Sequence, residues 1–130
     1  MSSSSAERFV GLTAADVMLA SPKTLPDDVT VRAARAALAN DGVQMLVLVD
    51  GPRFAGAITD IPPDADPDER ALRYATAAET ITPDEDATVA FERAGRNPDR
   101  RVVVLDDGGD LRGLLCLNTS RTRFCGGKVV

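Results

Sequence analysis

The apolar positions of this chain fall into two kinds of pattern. Val31, Ala34, Ala37 and Leu38 recur at helical spacing, with Arg32 and Arg35 on the opposite side. That is the signature of an amphipathic helix, with Asp28 or Thr30 as its cap. Asn40-Asp41-Gly42 should stop it, with Gly42 taking the left-handed conformation after the last turn. Residues 43–49 follow, and Met45-Leu46-Val47-Leu48-Val49 is an unbroken aliphatic run. A run that short predicts a strand buried on both faces. Asp50-Gly51-Pro52 reads as a turn, and residues 54–59 as a second strand paired with the first in a hairpin. Residues 61–68, rich in Pro and Asp, predict a loop, and residues 68–75 a short helix bringing Ala71, Leu72 and Ala75 together. Upstream, residues 1–9 are Ser-rich and expected to be disordered. Thr13 is an N-cap candidate for a short helical turn with Asp16 as its acidic first-turn residue, and Thr24 to Asp28 is a short extended piece.

The same order then starts again. Thr76-Ala77-Ala78-Glu79-Thr80 echoes Thr13-Ala14-Ala15-Asp16-Val17, 63 residues on. Thr88-Val89 echoes Thr30-Val31 at 58, Val103 echoes Val47 at 56, and Gly113-Leu114-Leu115 echoes Gly56-Ala57-Ile58 at 57. Ordered landmarks at near-constant separation indicate an internal repeat, which sets the architecture before any single residue does. The second copy looks worn. Its helix, over residues 89–95, meets Asn97-Pro98 early. Only 13 residues follow Leu117, and Cys125-Gly126-Gly127 suits a closing helix poorly, so this copy is expected to be truncated.

Composition narrows the function. The chain has 130 residues, 44% hydrophobic, with 4% aromatic and no Trp, so the core must be aliphatic. A half of this size cannot bury its apolar sheet face alone, which predicts a core shared between the halves. The net charge of −5 argues against nucleic-acid binding, which needs clustered cations. No apolar run reaches the ~18 residues of a membrane span, and no apolar leader is present, so a cytoplasmic protein with reduced thiols at Cys116 and Cys125 is expected. Cys116 reads as a small buried hydrophobe, and Cys125 as an exposed thiol flanked by Arg123 and Lys128. The absence of His removes the commonest general base and most zinc sites. Gly108-Gly109 joins two strands, so it is not a phosphate loop. No catalytic group stands out, and none is assigned.

The repeated landmarks resemble the CBS domain pair, or Bateman module. They are Ala15-Asp16-Val17-Met18, Thr30-Val31 leading to Ala34-Ala37-Leu38, Gly42-Val43 before Val47-Leu48-Val49-Asp50, and Gly56-Ala57-Ile58-Thr59-Asp60. In the second copy they are Thr88-Val89, Arg101-Val102-Val103-Val104-Leu105-Asp106 and Gly113-Leu114-Leu115. The resemblance spans residues 11–119. It implies an α/β (α+β) fold of two tandem β-α-β-β-α repeats packed with pseudo-twofold symmetry, the second truncated. The expected organisation is residues 1–10 as a disordered start, 11–75 and 76–119 as the two repeats, and 120–130 as a tail. The resemblance also implies a non-enzymatic regulatory module, a homodimer, and clefts for an adenosine-containing ligand such as AMP, ATP or S-adenosylmethionine.

The family holds the ribose through an Asp three positions after the Ser or Thr that ends the second strand. Here that position is Pro62 after Thr59, and Thr119 after Cys116. Asp60 and Asp64 lie nearby, out of register. The candidate ligand residues are therefore Leu25, Pro26, Thr59 and Asp60 in the first copy, and Ile81, Thr82, Pro83 and Thr119 in the second. Arg112, Arg121 and Arg123 are candidates to neutralise a phosphate. The missing carboxylates leave a second reading open, that of a dimerisation or protein-interaction scaffold without nucleotide, with an unidentified protein partner. Neither a nucleic acid nor a membrane is expected as a partner.

Overall fold

A computed structural model describes residues 10–20, 22, 24–39, 45–76, 78–98, 100–118, 120–122 and 124. The predicted helix stop at 40–42 lies outside them, as do Thr119, Arg123 and Cys125. The described chain divides into two compact units. One is Lys23–Ala78; the other is Glu79–Val130 together with Met1–Pro22.

The Lys23–Ala78 unit is a three-stranded sheet, β1 (Thr24–Pro26), β2 (Leu46–Asp50) and β3 (Arg53–Ile58), with helix α2 (Val31–Leu38). Strand β1 runs parallel to β2, and β3 antiparallel to it. The hairpin turns through Gly51-Pro52, where Gly51 has φ +62°, a value an L side chain would strain. Thr30 caps α2 by accepting from the Ala33 amide at 3.3 Å. Val31, Ala34 and Ala37 are buried against Leu46, Leu48 and Ile58. Val47, on the other face of β2, is also fully buried, as the unbroken apolar run predicts.

The loop after β3 has a structural task. Glu69 and Pro67 carbonyls accept from the Val31 and Arg32 amides, at 2.9 and 3.1 Å. These are amides that a helix start leaves without partners. The helix predicted over 68–75 is reduced to one 3-10 turn, Ala71–Tyr74. Arg70 is held extended by its bridge to Thr30, and the Thr76 amide is taken by the Ala57 carbonyl at 2.9 Å. Both ends are thus fixed by tertiary pairing before a second turn can form. Ala71, Leu72 and Ala75 do share the core, as predicted.

The second unit repeats this plan. Strands β4 (Thr80–Ile81), β5 (Arg101–Leu105) and β6 (Leu111–Cys116) form a sheet in the same order and directions, with helix α3 (Ala87–Arg96). Thr24 pairs with Val47, and Thr80 with Val103, both 56 residues on. The ladder slips at Leu48/Val49 in one sheet and at Val104/Leu105 in the other. A bulge reproduced at the same step is a built feature of a fold. Its helix is not worn, however. It starts at Ala87 behind an Asp86 cap, whose carboxylate accepts from the Thr88 amide at 2.7 Å, and runs for 10 residues. Sequence matching placed the start at Thr88-Val89, because Asp86 has no acidic counterpart at Thr30.

The segment that closes this second sheet comes from the start of the chain. Helix α1 (Ala14–Val17) is capped as predicted, the Asp16 carboxylate accepting from the Thr13 amide at 2.8 Å and hydroxyl at 3.1 Å. Its Ala14 and Ala15 amides donate to the Glu85 and Pro83 carbonyls at 2.8 and 2.9 Å. Leu19 and Leu114 exchange two backbone bonds, at 2.9 and 3.1 Å. The bridges Thr30–Arg70 and Ala57–Thr76 of the first unit correspond to Asp86–Thr13 and Leu114–Leu19 of the second. Residues 70–76 thus correspond to residues 13–19. The sequence echo of residues 13–17 at 76–80 is therefore misplaced, and the boundary at residue 11 differs from the structural one. The missing closing element of the second copy is α1.

Candidate functional site

The first sheet places its candidate residues at different levels along its strands. In the first unit Leu25 and Pro26 pair with Leu48 and Val49, whereas Ile58, just before Thr59, pairs with Leu46. Two to three strand residues at ~3.3 Å each separate those levels, so about 7–10 Å of sheet lies between them. Thr59, half-buried, and Asp60, exposed, are therefore not brought to Leu25 and Pro26 within this unit.

In the second unit a pocket of about 280 Å³ opens along β4 and the end of β5, bordered by Glu85 ahead of α3 and by Arg93 within it. Thr80, Ile81, Thr82, Glu85, Arg93, Leu105 and Asp106 line it. Its position has a backbone cause. Strand β4 stops after Ile81, which is buried against α3, and the Glu85 amide folds back to the Thr82 carbonyl at 3.2 Å. That turn leads into the Asp86 cap and leaves a hollow where the sheet ends. Strand ends beside a helix start are common ligand sites in α/β sheets.

Ile81 and Thr82, two of the candidates, line this pocket. Pro83 serves the fold, accepting from Ala15 through its carbonyl. Sequence reasoning missed Glu85, Arg93, Leu105 and Asp106. Asp106 was visible as the residue ending the second aliphatic run, but its proximity to Thr82 depends on the parallel pairing.

The charges are distributed unevenly. Asp106 Oδ1 accepts from the Gly108 and Asp110 amides, both at 3.0 Å, and Arg112 Nη1 stands 3.8 Å from Oδ2. Arg93 Nε is 3.8 Å from Glu79 Oε2. Arg112 therefore faces a carboxylate. Arg121 caps α3, donating to the Gly95 and Asn97 carbonyls at 3.1 and 3.3 Å. Cys116 is buried, as expected, but it is disulfide-bonded. This corrects the expectation of reduced thiols: a sulfur's oxidation state depends on which other sulfur the fold brings near it, and sequence pattern does not show that. The sequence holds one other cysteine, Cys125. Among the described residues no cluster of three or more His, Cys, Asp or Glu could hold a metal, and no helix is long and apolar enough to cross a membrane.

Solved structures match this architecture closely. A CBS domain protein of Pyrobaculum aerophilum, complexed with AMP, superposes with a TM-score of 0.68 at 24% identity, over 81% of this chain and 87% of that one. The CBS-pair protein CBSX2 of Arabidopsis thaliana gives 0.69 at 17%, over 80% and 87%. The CBS domain of a bacterial CNNM/CorC family Mg2+ transporter, in complex with ATP, gives 0.68 at 13%, over 86% of each chain. No family model matches the sequence, and no curated protein does. The fold is that of a CBS domain pair, a mixed α/β architecture with two small sheets.

Proposed function

We propose that this chain is a non-enzymatic regulatory module that senses an adenosine-containing ligand, AMP, ATP or S-adenosylmethionine, in the cytoplasm and as a homodimer. The observation that carries this reading is the duplicated sheet, in a fold shared with proteins whose structures hold AMP or ATP. Leu25, Pro26, Thr59, Asp60, Ile81, Thr82, Pro83 and Thr119 are the residues proposed to meet the ligand. Regulation follows if the ligand binds one arrangement of the module better than another. The test is thermal unfolding of the full chain with each of the three compounds. A ligand present at a hundred times its Kd adds about 2.7 kcal/mol. A raised melting temperature with one of them supports the reading. No shift with any at millimolar concentration overturns it.

One observation favours a second reading. The position three residues after Thr59 is Pro62, and the one after Cys116 is Thr119, so neither copy carries the ribose carboxylate. A scaffold that dimerises or binds a protein without nucleotide would need none. Concentration-dependent dimerisation together with nucleotide-insensitive melting would favour it.

A further inference from the structure

We infer that the pocket at the ends of β4 and β5, which shares Ile81 and Thr82 with the residues proposed above for the adenosine ligand, also takes a small zwitterion of the free α-amino acid class. The argument begins with charge. Glu85 and Asp106 bring two carboxylates to the lining, and Arg93 one guanidinium. Arg93 already faces Glu79, and Asp106 faces Arg112, so the lining and these neighbours together carry three carboxylates and two guanidinium groups. A site with an excess carboxylate repels a polyphosphate and attracts an ammonium group.

The remaining groups suit the rest of an amino acid. Arg93 offers a planar fork to a carboxylate. Thr80 and Thr82 offer hydroxyls, which can donate or accept. Ile81 and Leu105 supply an apolar wall for a side chain. The volume, about 280 Å³, falls just below the range of pockets for drug-sized molecules, which suits a metabolite of amino-acid size. The ammonium group sits against Glu85 and Asp106, the carboxylate against Arg93, and the side chain against Ile81 and Leu105.

Calorimetric titration of the full chain with each proteinogenic amino acid, at up to 10 mM, tests this. At least one is expected to bind, and its N-acetyl derivative, which lacks the ammonium, is expected to bind at least tenfold more weakly. Glu85→Gln should weaken the same amino acid by about tenfold, and Arg93→Met should weaken it while leaving the corresponding amine less affected. Melting of each variant without ligand separates lost binding from lost fold; should Arg93→Met unfold, the acetylated ligand and Glu85→Gln still decide. No binding by any amino acid overturns the inference. So does binding indifferent to both acetylation and Glu85→Gln. The nucleotide titrations stand apart, so either result leaves the proposed nucleotide sensing to its own test.

Discussion

The two units share a sheet, a register and a bulge, yet they are closed differently. In Lys23–Ala78 the strand hairpin runs straight on into the loop and 3-10 turn that pair with Thr30 and Ala57. In the other unit the equivalent pairs, to Asp86 and Leu114, are made by residues 13–19 from the far end of the chain. One unit is therefore contiguous and the other depends on a segment some 60 residues before it, which costs more loop-closure entropy to recruit. The lesson is that a repeat can look truncated in sequence and be complete in space.

The largest effect should come from removing that segment. Deleting residues 1–20 takes Ala14 and Val17, both buried, out of the second core, along with the bonds to Pro83, Glu85 and Leu114. The expected loss is about 4 kcal/mol, from burial and backbone pairing. Hydrogen exchange should show β5 and β6 deprotected well before β2 and β3. Equal deprotection of both sheets would break the comparison.

Gly113 and Gly56 sharpen it. A Cβ on Gly113 would lie 2.5 Å from Met18 Sδ and 2.6 Å from the Leu19 carbonyl oxygen. On Gly56 it would meet only side chains, Ala75 Cβ at 3.0 Å and Leu72 Cδ1 at 3.1 Å. Gly113→Ala should cost ~2–3 kcal/mol by chemical denaturation and Gly56→Ala about 1 kcal/mol, because overpacking against backbone has less room to relax. The helix caps differ less. Asp86→Ala should cost about 1 kcal/mol, and Thr30→Ala somewhat less, since the Asp86 bond is shorter, 2.7 against 3.3 Å. The smallest effect is chemical: unfolded without reductant, Cys116 should resist alkylation, and it should be alkylated after reduction, by peptide mass.

The sequence made the repeated core legible, because unbroken runs such as Leu46–Val49 and Val102–Val104 have few ways to be buried. The Gly51 turn and the Thr13–Asp16 cap were legible for the same local reason. The closing segments were not. Residues 14–17 and 71–74 share almost no side-chain pattern, since a four-residue turn is specified by the carbonyls it meets. The pocket was half legible: Ile81 and Thr82 were found from strand-end position, while Glu85, Arg93 and Asp106 converge only through tertiary pairing.

The swap of closing segments is tested most directly by nuclear Overhauser contacts of Leu19. Cross-peaks between the Leu19 and Leu114 backbones, with slow exchange of both amides, are expected. Contacts from Leu19 to Ala57, where Thr76 bridges instead, would contradict the account.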